Sequence, residues 1–248
     1  IVLARVRSQL ELKLAHDILR DQNSYLESEV ARRMAENQII QDISILALAR
    51  LAEIRDPETG NHLRRTQEYV RTLGNALRDH PRFSGFLDDA TIKSLATSAP
   101  LHDIGKVGIP DHILLKPGPL TPEEWVILKT HAKLGSDAIA LAEQDASEQV
   151  EFLALAKQIA HSHHEKWNGS GYPNGLAGDA IPVAARLMAL ADVFDALISK
   201  RVYKSAMSFD EARSIITRDS GSHFDPDIVT AFSDNFEHFK AIAVAYGE

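Results

Sequence analysis

The chain has no cysteine among its 248 residues. Disulfides and thiolate metal sites are therefore excluded, and any metal must be held by imidazole, carboxylate and water. No apolar run approaches the roughly 18 residues that a membrane span needs, and no signal peptide opens the chain. Positive charge is in deficit. With 27 Lys and Arg against 35 Asp and Glu, the formal net charge of −8 argues against a broad polynucleotide-binding surface. A small anionic substrate held by a few local cations is still allowed. These absences are compatible with the cytoplasm, which is the expected location. The first residue is Ile rather than Met, so the chain reads as a piece of a longer protein. Persuasive strand patterns, internal repeats and low-complexity stretches are missing as well.

What is present is helical. Residues 1–48 contain neither proline nor glycine and are rich in good helix formers. Apolar residues recur at Val6, Leu10, Leu14 and Ile18, then at Leu26, Val30, Met34 and Ile40, with an imperfect join at Asp21–Ser24. One reading is a solvated helix docked on the domain. The favoured reading is a two-stranded coiled coil that makes a homodimer. Residues 49–248 then form one domain, long enough to bury a core. Helix signals recur along it: an apolar period through Val70, Leu73 and Leu77, Asp88 or Asp89 as a cap, and capping boxes at Thr121–Glu124 and Ser208–Glu211. Pro182 opens an apolar helix to Ser199, interrupted by Asp192 and Asp195, and Asp225-Pro226 starts another. The expectation is an all-α bundle of eight or nine helices preceded by a long N-terminal helix.

Chemistry concentrates around the stretch His161 to Pro173, where the pair His163-His164 ends a helix and a glycine-rich turn follows at once. An adjacent imidazole pair beside a tight loop suggests metal ligands next to a pocket wall. Asp192 stands in an apolar helix, where a carboxylate needs a cation or hydrogen bonds to offset several kcal/mol of desolvation. Asp195 lies one turn on and would touch a ligand bound beside the metal. His102-Asp103 precedes a turn at Gly105, His62 stands where a loop enters a helix, and His131 sits on its own helix. Each histidine alone is more often a surface or satisfied core residue; their company raises them. His16, His80, His112, His161, His223 and His238 lack such company.

Seven motifs in order give the chain from about Arg55 to Phe232 a resemblance to the HD-GYP branch of the HD phosphohydrolase superfamily. They are RDPETGNH at 55–62, HDIGKVGIPD at 102–111, KPGPLTPEEW at 116–125, HHEKWNGSGYPNGL at 163–176, ADVFDAL at 191–197, RVYK at 201–204 and GSHFDP at 221–226. The resemblance covers nearly three-quarters of the chain. It implies an all-α domain with a cluster of two or three metals, most often iron, with manganese, nickel and zinc as alternatives. It implies the bacterial messenger cyclic di-GMP as substrate. The implied ligands are His62, His102, Asp103, His131, His163, His164 and Asp192, with Asp103 bridging. Glu58 stands where trinuclear members carry a further carboxylate, which favours three metals. The implied substrate contacts are Lys106, Gly171, Tyr172, Asp195, Arg201 and Lys204. Asn168 stands where many relatives have Asp, and Val202 where Pro is usual; neither removes an implied ligand.

The residues agree with that chemistry. Mixed imidazole and carboxylate ligation suits several first-row metals. Two metals about 3.5–4 Å apart can activate a shared water as hydroxide for in-line attack on phosphorus. Lys106 would then stabilise phosphoryl charge, Arg201 and Lys204 would pair with phosphate, and Tyr172 would offer a face to guanine. The expected activity is hydrolysis of cyclic di-GMP to linear pGpG and onward to GMP. The competing reading is a non-catalytic module that binds cyclic di-GMP or a partner protein. Residues 1–13 also resemble the last helix of a response-regulator receiver domain running into its linker, which implies a receiver N-terminal to this chain. Diguanylate cyclase (GGDEF) domains are the further implied partners.

Overall fold

The computed structural model describes residues 2–55, 61–144, 151–200 and 206–247. Among them are ten α-helices, three short 3-10 turns and no strand, in agreement with the all-α expectation. Helix α1 (Val2–Glu53) is followed by α2 (His62–Leu77), α3 (Asp89–Ser98), α4 (Asp111–Leu114) and α5 (Pro122–Gln144). Then come α6 (Glu151–Ser162), α7 (Val183–Ile198), α8 (Phe209–Arg218), α9 (Pro226–Asp234) and α10 (Phe236–Ala245). The chain divides into two units, residues 1–44 and 45–248.

In the first unit α1 is continuous: the polar join at Asp21–Ser24 does not break it, because helical propensity there is adequate without glycine or proline. Its apolar residues are exposed, Val6 at 51%, Leu14 at 62% and Met34 at 67%. The helix also runs past residue 48, where the sequence suggested a boundary, and ends at Glu53. In the second unit the caps read from sequence are in place. Asp88 accepts from the Thr91 amide, Thr121 and Glu124 exchange their capping bonds, and Ser208 and Glu211 do the same.

The core of the second unit is aromatic. Tyr69 of α2 stacks on Phe239 of α10 and meets Phe194 of α7 edge-on, and Phe232 of α9 closes the cluster. Helix α7 is buried on nearly every face, which is why its sequence is apolar all round. A smaller apolar cluster packs Ile45 and Ala49 against Leu63, Leu101, Ile139, Ala156 and Ala160. Helices α2, α5 and α7 carry His62, His131 and Asp192, and His163-His164 follow α6.

Candidate metal centre

The described candidate ligands arrive on five supports. His62 is the first residue of α2, His131 lies in the middle of α5, and His163-His164 follow the end of α6. Asp192 comes from α7. His102 and Asp103 follow the 3-10 turn Ala99–Leu101. Gly105 brings that turn hard against α5: a Cβ there would stand 2.0 Å from the His131 carbonyl and 2.4 Å from the Gly135 amide. Only glycine permits the approach, and the approach puts Asp103 beside His131.

These residues form two groups whose ligand atoms lie within 4.8 Å of one another: His62, His102 and Asp192; and Asp103, His131, His163 and His164. Asp103 faces both. Its Oδ1 lies 3.3 Å from His131 Nε2 and 3.7 Å from His163 Nε2, while Oδ2 lies 3.3 Å from His102 Nε2. In the other group, His62 Nε2 and His102 Nε2 are 3.8 and 3.9 Å from Asp192 Oδ1.

Three of the imidazoles are fixed from behind by backbone carbonyls. Nδ1 of His102, His131 and His163 sits 3.0, 2.7 and 2.9 Å from the carbonyls of Ala99, Leu128 and Ile159. A proton held on Nδ1 leaves the Nε2 lone pair free to bind a cation. Asp103 Oδ1, His131 Nε2 and His163 Nε2 are buried without a hydrogen-bond partner. Orphaned buried polar atoms are costly and uncommon. Three that converge on one point fit a metal ion, and the donor set fits a divalent first-row ion.

The electrostatics suit the same purpose. Burial alone would raise the Asp103 carboxyl, but Lys106 and His102 outweigh it and hold the group well below the usual carboxylate range. Burial lowers the imidazolium pKa of His131 and His164, with further lowering by His163, so both rings stay neutral. Lys106 Nζ is 2.8 Å from Asp103 Oδ2. Tyr172 stacks on His164 at 4.7 Å between ring centroids, and Lys129 Nζ lies 5.2 Å over the tyrosine ring. A small cleft opens on His62, His102, Asp103 and Lys106 and is walled by Ala49, Ala52 and Glu53.

One expectation needs correction. Asp195 does not face a ligand beside the metal. It is 1% exposed, and its oxygens are taken by Arg65 and by His62 Nδ1, so it stands behind a candidate ligand. Gly171 sits where the loop turns tightly: a Cβ there would meet the backbone of His164, Glu165 and Lys166 at 2.4–2.6 Å. Glu58, Arg201 and Lys204 lie outside the described residues.

Sequence reasoning missed Arg65 and Glu165. Glu165 is 2% exposed and accepts from the amides of Asn174 and Leu176, anchoring the far side of the loop that carries Tyr172. Its place between an imidazole pair and a glycine-rich turn was the available signal. Arg65 gave none beyond following His62 by three residues.

An all-helical bundle holding paired imidazole–carboxylate groups defines a metal-binding helical domain. The chain belongs to the HD domain family, whose model matches residues 46–228, and that membership implies divalent metal binding. It is 51% identical over 248 residues to a Vibrio cholerae protein named "Probable cyclic di-GMP phosphodiesterase", covering 100% of this chain and 56% of that one. It is 54% identical over 211 residues to a second, named "Cyclic di-GMP phosphodiesterase", covering 85% of this chain and 43% of the relative. The chain thus spans about half the length of these curated relatives. A crystal structure of a cyclic GMP-AMP specific phosphodiesterase from V. cholerae shares the fold, with a TM-score of 0.52 and 22% identity over 81% of this chain and 50% of that one. No helix among the described residues is long and apolar enough to cross a membrane.

Proposed function

We propose that this chain is the catalytic part of an HD-GYP phosphodiesterase that hydrolyses cyclic di-GMP to linear pGpG and then GMP. The observation that carries the reading is Asp103, whose two oxygens face two different ligand groups. A carboxylate so placed can serve two cations at once. Similarity to relatives named for cyclic di-GMP supports that substrate.

In this reading His62, His102 and Asp192 would hold one ion and His131, His163 and His164 another, with Asp103 available to both. Glu58 would hold a third. When bound, the ions supply Lewis acidity and an activated water for phosphodiester hydrolysis, with iron as the proposed metal. Lys106, beside Asp103, neutralises charge that grows on the phosphoryl oxygens. Tyr172, backed by His164, presents its other face to a guanine base. Arg201 and Lys204 pair with the substrate's phosphates.

The test is anaerobic turnover of cyclic di-GMP by protein loaded with Fe(II) or Mn(II), with products separated and metal counted in the same sample. Formation of pGpG or GMP, abolished in Asp103→Ala, is the expected result. No product from a fully metallated sample that still binds cyclic di-GMP tightly would replace the enzyme by a binding module. A parallel assay with cyclic GMP-AMP decides between the two cyclic dinucleotides.

We further propose that residues 1–44 pair with a second copy as a coiled coil and relay a signal from a receiver domain. The exposed apolar residues at Val6, Leu10, Leu14 and Ile18 support the pairing, and the resemblance of residues 1–13 to a receiver's last helix supports the relay.

A further inference from the structure

Four of the candidate ligand imidazoles divide by where the partner of Nδ1 sits. His102, His131 and His163 use the backbone carbonyls of Ala99, Leu128 and Ile159, three or four residues earlier in the chain. Such a bond travels with its own turn of helix. His62 instead places Nδ1 2.8 Å from Asp195 Oδ2, a side chain 133 residues away on α7. Its other nitrogen faces His102 and Asp192.

Asp195 is itself clamped. Arg65 Nε donates to Oδ1 at 2.6 Å and Nη2 donates to Oδ2 at 2.9 Å, a two-bond fork between buried groups. The same guanidinium donates to Ser199 Oγ at 3.0 Å and to the Tyr246 carbonyl at 3.1 Å. Arg65 lies one turn after His62, so α2 carries both the imidazole and the arm that fixes its partner. The position of the His62 ring is therefore decided jointly by α2, α7 and the chain just after α10.

We propose that Asp195 and Arg65 are positioning residues that set metal occupancy of the His62–His102–Asp192 group without setting that of the Asp103–His131–His163–His164 group. The inference rests on the metal-dependent reading above. The Asp195 carboxylate can only accept from Nδ1, so the proton stays there and Nε2 is left as the ligand. With Asn at position 195, Arg65 draws the amide oxygen and the amide NH₂ turns to His62. The ring must then accept at Nδ1 and carry its proton on Nε2, which cannot bind a cation. Metal ligands that lose such an outer partner bind about 10–100-fold more weakly.

Long-range ¹H–¹⁵N NMR of the metal-free protein reads each imidazole tautomer directly and requires no turnover. Wild-type His62 should carry its proton on Nδ1. Asp195→Asn should move it to Nε2 and leave His102, His131 and His163 unchanged. Metal counting at a concentration that saturates wild type should then find one equivalent fewer in the variant. Arg65→Lys, which keeps the charge but not the fork, should weaken the same equivalent by less. A wild-type His62 protonated on Nε2 overturns the proposal, as does Asp195→Asn with a full complement of metal. Loss spread over both groups, with all four tautomers altered, would also overturn it by making the pair merely structural. Should the Asn variant not fold, the wild-type tautomer and Arg65→Lys decide. Wild-type protein that takes up no metal at all would sink the phosphodiesterase reading instead, leaving the tautomer result to stand by itself.

Discussion

Lys106 sets its ammonium 2.8 Å from Asp103 Oδ2, the oxygen that does not face His131. The same lysine lines the cleft that opens on His62 and His102. The proposed reaction gives it the task of neutralising charge on the phosphoryl oxygens. Lys106→Met should leave metal content unchanged and lower kcat about 10²–10³-fold, the usual cost of one preorganised donor. Steady-state kinetics with metal counted in the same sample checks this. An unchanged kcat would remove Lys106 from the reaction.

Glu165 should matter to substrate affinity although it faces away from the ligands. Its carboxylate holds the Asn174 and Leu176 amides at 2.8 and 3.0 Å, and Tyr172 lies on the loop so anchored. Glu165→Ala leaves two amides without their partner, at about 1–3 kcal/mol each if they stay buried. The expected outcome is a KM for cyclic di-GMP raised about tenfold or more, with kcat less affected and faster amide exchange at 174 and 176. Equal falls in kcat and kcat/KM would place Glu165 in the chemistry instead.

His223 predicts a pH effect on stability. Burial, helped by Lys166, lowers its imidazolium pKa from 6.5 to about 4, while its ring stacks on Phe224 at 4.2 Å. Between those values the unfolded chain binds a proton that the folded chain does not, so stability falls as pH falls through this window. The ring is only partly buried, so solvent screening reduces the full linkage of about 3 kcal/mol to about 1–2 kcal/mol. Urea unfolding of wild type and His223→Gln at pH 7 and pH 4.5 should show the wild type losing more by that amount. Equal losses would mean that the ring titrates normally.

The exposed apolar residues of α1 predict the assembly state. Leu14 and Val30 are 62% and 56% exposed, and burial against a second copy would stabilise each by about 1–2 kcal/mol. Sedimentation velocity should find a dimer at micromolar concentration and a monomer for the double variant Leu14→Lys, Val30→Lys, with the metal content of both unchanged. A monomeric wild type would end the coiled-coil reading.

Much of this was legible because it is local. Helix propensity, the caps at Asp88, Thr121 and Ser208, and the all-round apolar character of α7 are each written within a few residues. The motifs around His102-Asp103 and His163-His164 likewise named the residues that come together. Asp195 was misplaced for a physical reason. One turn from Asp192 on α7, it shares that residue's chemistry, and helical periodicity cannot say which of two neighbouring carboxylates turns inward to an arginine.

By itself the sequence determined the class of fold, the absence of thiolate ligands and the inventory of imidazoles and carboxylates from which a centre could be built. All of these follow from residue type and short-range spacing. The tertiary structure alone decided that the inventory splits into two groups, that Asp103 faces both, and that His62 is held from behind by Asp195 and Arg65. Those relations join α2, α5, α6 and α7 across up to 133 residues of chain. Core packing and close backbone approach fix them, and neither has a local sequence period.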